Sequence, residues 1–249
     1  MSIPLYEPLY TLKKVAENIW IADGELIHMN FVAFHVPFST RMTIVRLADG
    51  TLWCHSPIKP EQKLLRAIDQ LGKVRHLISP NKIHYAYISA WQKIYPDALA
   101  WSSPGVEARA RSQKIPVQFD QPLTDQAPND WSAEIEQLIF KGSRVVEEVV
   151  FFHKKSRTLI LTDLIENFES ERTESYFWKH IQKIAGISAP NGKAPLDFRL
   201  TFIGQKAQAR QSLARMLAWQ PEKMILAHGQ WYEKNGTAEL KRSFSWLLR

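Results

Sequence analysis

Along the first fifty or so residues, apolar positions come in short runs broken by polar ones, at Asn18–Ile21, Phe31–His35 and Met42–Leu47. Runs of this length predict strands rather than helices. Ala48-Asp49-Gly50 then leads into a further apolar run, Thr51–Cys54, and Asp-Gly between two such runs is a hairpin signal. From Pro60 the period lengthens. Leu64, Leu65, Ile68 and Leu71 fall on one helical face, with Pro60 at the entry and Gly72 at the exit. A strand is expected over Val74–Ile78, followed by a break at Ser79-Pro80-Asn81. A second helix then carries Tyr87, Ala90, Trp91 and Ile94 on one face until Pro96 stops it, and Ala98–Trp101 reads as another strand.

The stretch Gln113–Trp131 is rich in Pro, Asp and Gln and divides the chain into halves. Beyond it, strands are expected at Ile135–Phe140, Val145–Phe152 and Thr158–Thr162, with His153–Arg157 as an exposed turn between the last two. Helices follow at Glu169–Ile184, Lys206–Trp219 and Glu239–Leu248, with a loop at Ser188–Pro195. The middle helix lines up Ala209, Leu213, Met216 and Leu217. A short buried strand, Met224–Ala227, runs into His228-Gly229. Strands followed by helices, twice over, predict two β-sheets packed face to face with helices outside. We expect one domain over 1–249, built of two αβ halves divided near 113–131.

The chain has 249 residues, 45% of them hydrophobic, enough to bury a full core. Its longest apolar runs, Val149–Phe152 and Leu159–Leu161, are strand-sized, so no membrane association is expected. Pro4, Glu7 and Pro8 interrupt the segment where a secretory leader would need an apolar stretch, which favours a cytoplasmic location. The single cysteine, Cys54, lies in an apolar run and reads as a buried, inert thiol. A formal charge of +7 suits a small anionic metabolite as partner. Basic groups at Arg109/Arg111/Lys114, Lys154/Lys155/Arg157 and Lys241/Arg242 are interleaved with acids, which makes nucleic acid a poor expectation. No glycine-rich phosphate loop, nucleophilic serine motif or CxxC pair is present.

Three stretches carry a resemblance. The first runs from Ala48-Asp49-Gly50-Thr51-Leu52-Trp53 through a helix and a strand into the loop Ile78 to His84. The second is Thr158-Leu159-Ile160-Leu161-Thr162-Asp163, and the third is Met224-Ile225-Leu226-Ala227-His228-Gly229. In order and spacing, over roughly residues 15 to 235, they resemble the metallo-β-lactamase superfamily. The set Pro80-Asn81-x-x-His84, Phe151-Phe152-His153-Lys154-x-Ser156-Arg157-Thr158-Leu159 and Ala227-His228-Gly229 is similar to a branch of it known as a domain of unknown function. The resemblance implies an αββα sandwich with a site at the strand ends.

Active members of that superfamily hold two zinc ions through a His-x-His-x-Asp-His loop, a further histidine, a bridging aspartate and a last histidine. An open coordination position there leaves a water of lowered pKa as nucleophile. In this chain His84 matches the last position of the loop, while Ser79, Asn81 and Ile83 stand where His, His and Asp are expected. The further histidine would fall near Ser143 to Val145, where none occurs. A two-zinc centre is therefore not expected. His84, Asp163 and His228 match positions around the second metal, enough for one zinc-like divalent ion. Each also has a plainer reading: His84 at a helix start bonding a neighbouring loop, with Asn81 as its cap, Asp163 bracing a turn, and His228 as a satisfied strand-end histidine. Glu148 is a further ligand or base candidate, and His55 and Asn81 are candidate pocket residues. Two functions follow: a protein binding a small molecule or partner at the site mouth without metal, or a mononuclear metal-dependent hydrolase of an ester, thioester or phosphoester.

Overall fold

The computed structural model describes residues 5–31, 34–172 and 175–248. The first sheet follows the chain in order. Its strands are β1 (Lys13–Ala16), β2 (Ile19–Phe31), β3 (Phe34–Arg46), β4 (Leu52–His55), β5 (Val74–Ser79), β6 (Leu99–Ser102) and β7 (Gln121–Pro122). The β1 to β4 pairings are antiparallel and those from β4 to β7 parallel. The second sheet has the order β11-β10-β9-β8, from β8 (Ile135–Phe140), β9 (Glu148–His153), β10 (Thr158–Ile160) and β11 (Lys223–Ile225).

Three apolar layers make the sandwich. Trp53, Ile78, Trp101, Trp131, Phe151 and Ile225 pack between the sheets. Outside the first sheet, Leu64, Leu65 and Ile68 of α1 (Gln62–Asp69), Trp91 of α2 (Ile88–Ile94) and Ala110 of α3 (Val106–Ser112) cover Ile44, Cys54 and Leu77. Outside the second, Leu213 and Met216 of α6 (Lys206–Ala218) and Leu240 of α7 (Gly236–Ser243) cover Leu138, Val150 and Leu159. Two further helices, α4 (Tyr176–Ala185) and α5 (Leu196–Leu200), lie between β10 and α6 in the chain. This is the expected αββα sandwich. Cys54 is fully buried, as its apolar run suggested. No helix is long and apolar enough to cross a membrane among the described residues.

Several boundaries moved, each for a tertiary reason. The short strands expected at Asn18–Ile21 and Met42–Leu47 belong to a hairpin of two 13-residue strands, β2 and β3. Two of its charged positions are paired with each other rather than solvated: Arg41 Nε donates to Asp23 Oδ1 at 2.7 Å, with both side chains buried. The strand expected at Phe31–His35 straddles the end of β2 and the start of β3, and residues 32 and 33 between them lie outside the described residues. His153, expected in an exposed turn, ends β9 and is buried, its Nδ1 2.8 Å from Ser156 Oγ. The 113–131 segment carries the chain from one sheet to the other, adds β7, and buries Trp131 in the inter-sheet layer. The expected helix over Glu169–Ile184 begins only at Tyr176, where Ser175 accepts from the Trp178 amide as its cap. The last helix runs Gly236–Ser243, ahead of the expected Glu239–Leu248.

Candidate metal centre

The site lies where β5, β10 and β11 end and their following loops converge. Asp163 stands three residues beyond β10 and His228 three beyond β11, two strands that pair in parallel, so both side chains emerge at the same end. His84 comes from the loop after β5. It sits in a turn ahead of α2 rather than at the helix start. Asn81 caps that turn instead of a helix, its Oδ1 accepting from the amides of Ile83 at 2.8 Å and His84 at 3.1 Å.

The structure brings the three candidate donors together. His84 Nε2 is 3.1 Å and His228 Nε2 3.2 Å from the same oxygen, Asp163 Oδ1, and the three ligand-type atoms lie within 4.8 Å of one another. The other carboxylate oxygen, Oδ2, accepts from Asn81 Nδ2 at 2.8 Å. Two imidazoles thus share one face of the carboxylate and an amide holds the other.

The outer nitrogens of both rings are also engaged. His228 Nδ1 meets the Ser39 carbonyl at 2.8 Å. A carbonyl only accepts, so Nδ1 carries the proton and Nε2 is the atom left to face Asp163. His84 Nδ1 meets Ser56 Oγ at 2.7 Å. This is the arrangement that orients metal-binding imidazoles, the far nitrogen tied down and the near one presented.

Charge explains why these groups tolerate being close. Burial alone raises the Asp163 carboxyl, but the His84 imidazole and the bonds from His228 and His84 outweigh it and hold Asp163 well below the usual carboxylate range. Burial opposes a charge on His84, yet the adjoining Asp163 carboxylate wins and raises it. With the His228 Nδ1 tied to the Ser39 carbonyl, the contact at 3.2 Å presents Nε2 to the Asp163 carboxylate.

Glu148 begins β9 behind the donors. Its Oε1 accepts from the Thr162 amide and its Oε2 from the Asp163 amide, both at 2.7 Å. Burial, then the Asp163 charge, raises its pKa. Both oxygens are turned to the backbone, so Glu148 holds Asp163 in place and stands outside the donor cluster. His55 is buried, its ring stacked on Trp53 and edge-on to Phe151. Burial, then the charge on His84, pushes it down to about 3, so it is a neutral wall. Ser79 Oγ donates to the Asn81 carbonyl at 3.1 Å, and Ser143 Oγ accepts from the Val145 and Val146 amides in a tight turn.

Three contributors carried no motif-level signal. Ser39 acts through its backbone carbonyl. Arg41 Nη1 donates at 2.8 Å to the carbonyls of both Leu226 and Gly229, gripping the loop that holds His228. Glu166 is buried near the donors, and that burial, partly offset by His228, pushes its carboxyl up to about 8. The Arg41–Asp23 complementarity was present in sequence as two charges inside strand-forming runs. Nothing local announced the other two.

A family model described as a domain of unknown function, DUF4336, matches residues 17–185. No curated protein matches the chain. Among solved structures, DIM-1 metallo-β-lactamase exposed to ceftazidime superposes with a TM-score of 0.64 at 17% identity, covering 100% of this chain and 99% of that one. The metallo-β-lactamase FIM-1 from Pseudomonas aeruginosa, in its mono-zinc form, gives 0.60 at 11% identity over 99% and 98%. Rubredoxin oxygen:oxidoreductase from Desulfovibrio gigas gives 0.62 at 12% identity, covering 96% of this chain and 62% of that one. These likenesses establish the fold shared with metallo-β-lactamases, and the chain itself belongs to the DUF4336 family.

Proposed function

We propose that this protein holds a single zinc-like divalent cation on His84, Asp163 and His228 and uses it to hydrolyse an ester, thioester or phosphoester. The carrying observation is the convergence of two imidazole nitrogens on one carboxylate oxygen at 3.1 and 3.2 Å, with the His228 far nitrogen donating to a backbone carbonyl. Neighbouring ligands of a tetrahedral ion with bonds near 2 Å lie about 3.3 Å apart, so these two separations already suit one. The donor chemistry, two imidazoles and a carboxylate, leaves a fourth position for water or substrate. Such an ion, when bound, polarises a carbonyl or phosphoryl oxygen and makes water a nucleophile near neutral pH. FIM-1, similar in fold, is described in a mono-zinc form.

The chain's own residues orient and exclude. Ser56 and the Ser39 carbonyl set the two rings, Glu148 sets the Asp163 backbone, and Asn81 occupies the far side of the Asp163 carboxylate. That amide stands where a second ion would need a donor, and Ile83 in the same loop offers none. These features support a centre reduced to one metal position. With both oxygens on backbone amides, Glu148 serves as a positioning residue rather than as the base.

A second reading, ligand binding without metal, draws on the same Asn81 and Ile83. Metal analysis of protein purified without added zinc separates the two. We expect about one equivalent of metal, lost in both His84→Ala and His228→Ala, together with hydrolysis of a model ester or phosphoester that tracks metal content. Protein that stays metal-free after incubation with zinc at neutral pH would remove the hydrolase reading.

A further inference from the structure

The α4 helix is packed the wrong way round for a helix on a globular fold. Such a helix ordinarily turns its apolar stripe to the core and its polar face to water. In α4 the buried residue is Gln182, whereas Phe177 is 66%, Ile181 36% and Ile184 58% exposed. Their spacing places these three on one face, with Tyr176, 87% exposed, at its margin. The pattern continues on the adjoining helix, where Leu196 and Leu200 of α5 and the following Ile203 stand exposed at successive turns. Among the described residues, only Ile94, Val145 and Leu248 are exposed large apolar side chains elsewhere, so the exposure is concentrated rather than scattered.

The fold holds the face in this orientation. Ser175 caps the start of α4, Gly186 ends it at φ +79°, and the Ile187 amide donates to the Gln182 carbonyl at 2.9 Å. The Phe168 amide donates to the Ile187 carbonyl at 2.8 Å, which fastens the end of the helix to the segment after Asp163. Arg199 Nη2 donates to the Ala185 carbonyl at 3.2 Å and ties α5 to the same end.

Charge selects the occupant. Lys179 and Lys183, one turn apart, border the apolar face, His180 lies within it, and α4 has no acidic residue. A two-fold contact with a second copy presents the same patch from both sides, which would bring these lysines together with nothing on α4 to neutralise them. An anionic lipid surface satisfies both features, its headgroups meeting the lysine ammonium groups while the apolar side chains enter the boundary of the acyl chains. Lysine stems lie along apolar surface with the charge kept in the headgroup layer. Fluid chains also close around side chains that stand out as far as Tyr176 and Phe177, without the matching hollow a protein partner would need. The expectation of no membrane association rested on apolar runs too short to span, and a helix lying in the interface needs only one apolar face.

We propose that α4, extended by the exposed apolar residues of α5, docks this protein peripherally on an anionic lipid surface. The surface is separate from His84, Asp163 and His228 and does not depend on any ion held there.

Co-sedimentation with vesicles of phosphatidylcholine, alone and mixed with phosphatidylglycerol, tests this, with EDTA present throughout so that no metal bridges protein and lipid. Binding to the mixed vesicles is expected, at least about tenfold tighter than to phosphatidylcholine alone. Phe177→Ser/Ile184→Ser should weaken it at least about tenfold, with thermal melting unchanged because both positions are exposed. Lys179→Gln/Lys183→Gln should weaken it by a similar factor and flatten its dependence on salt. Leu248→Ser, which removes an exposed apolar residue elsewhere, should bind like wild type. No binding to the mixed vesicles, undiminished binding by the Phe177/Ile184 pair, or equal loss in Leu248→Ser overturns the proposal. So does a dimer in light scattering that the Phe177/Ile184 pair abolishes while vesicles leave wild type unbound, which makes the occupant a second copy. Because EDTA is present throughout, the result stands whether or not the metal reading holds.

Discussion

The Nδ1 of His228 donates to the carbonyl of Ser39 at 2.8 Å, across 189 positions of sequence. That bond selects the ring nitrogen turned towards Asp163 and with it the kind of partner the carboxylate can have. His84 is set the same way, by a hydroxyl that can be removed. Ser56→Ala should therefore leave the fold within about 1 kcal/mol of wild type yet weaken metal binding about tenfold or more. Competition with a chromophoric chelator measures the affinity and thermal melting the stability. Unchanged affinity would detach the hydroxyl from the site.

Glu148→Gln replaces one of two backbone-facing carboxylate oxygens with an amide NH₂ that cannot accept from the Thr162 or Asp163 amide. The buried donor left behind should cost about 1–3 kcal/mol. Because Asp163 is the group being positioned, metal affinity should fall with it. Chemical denaturation and metal titration of the same variant measure the two effects.

Glu166 makes a pH prediction. Its carboxyl is raised to about 8 in the folded protein by burial, against an ordinary value near 4.5. Below about pH 4.5 both states hold the proton and the group is neutral to stability. As pH climbs towards 8 the unfolded chain ionises freely while the folded one resists, so this residue costs stability progressively and reaches its full cost above 8. Glu166→Gln, measured in EDTA, should match wild type near pH 4 and exceed it by about 2 kcal/mol or more at pH 8. Denaturation curves that stay parallel across this range would contradict the assignment.

Gly229, next to His228, has φ +86°, and a Cβ there would sit 2.2 Å from the Asn167 carbonyl oxygen. Gly229→Ala meets both backbone strain and a clash with main chain that cannot swing away. We expect a loss of about 3 kcal/mol or more in urea denaturation. The Asn167–Gly229 pairing joins the Asp163 and His228 loops, so metal affinity should drop as well.

How much of this was legible follows from particular residues. The helix α1 could be read locally because it buries one face and a face leaves a period in the sequence, and the strands β5, β8 and β10 because they are buried at most positions and stand out as short apolar runs. The hairpin of β2 and β3 could not be read to its full length, since Asp23 and Arg41 look like surface residues until their mutual pairing is known. Likewise the α4 boundary rested on its Ser175 cap, and His153 was misplaced because its burial depends on a strand pairing with Ile135.

The sequence by itself determined the residue types and their order: His84, Asp163 and His228 each just past a strand, and Asn81 and Ile83 where further ligands would be needed. Strand ends are local events, written in apolar runs and the turn residues that stop them. Only the tertiary structure decided that three such ends meet, that Ser39 and Ser56 orient the two rings, and that Glu148 braces Asp163 rather than joining it. Those contacts bridge 15 to 189 residues, and those of Ser39 and Glu148 run through backbone atoms that every residue possesses, so no local pattern could encode them.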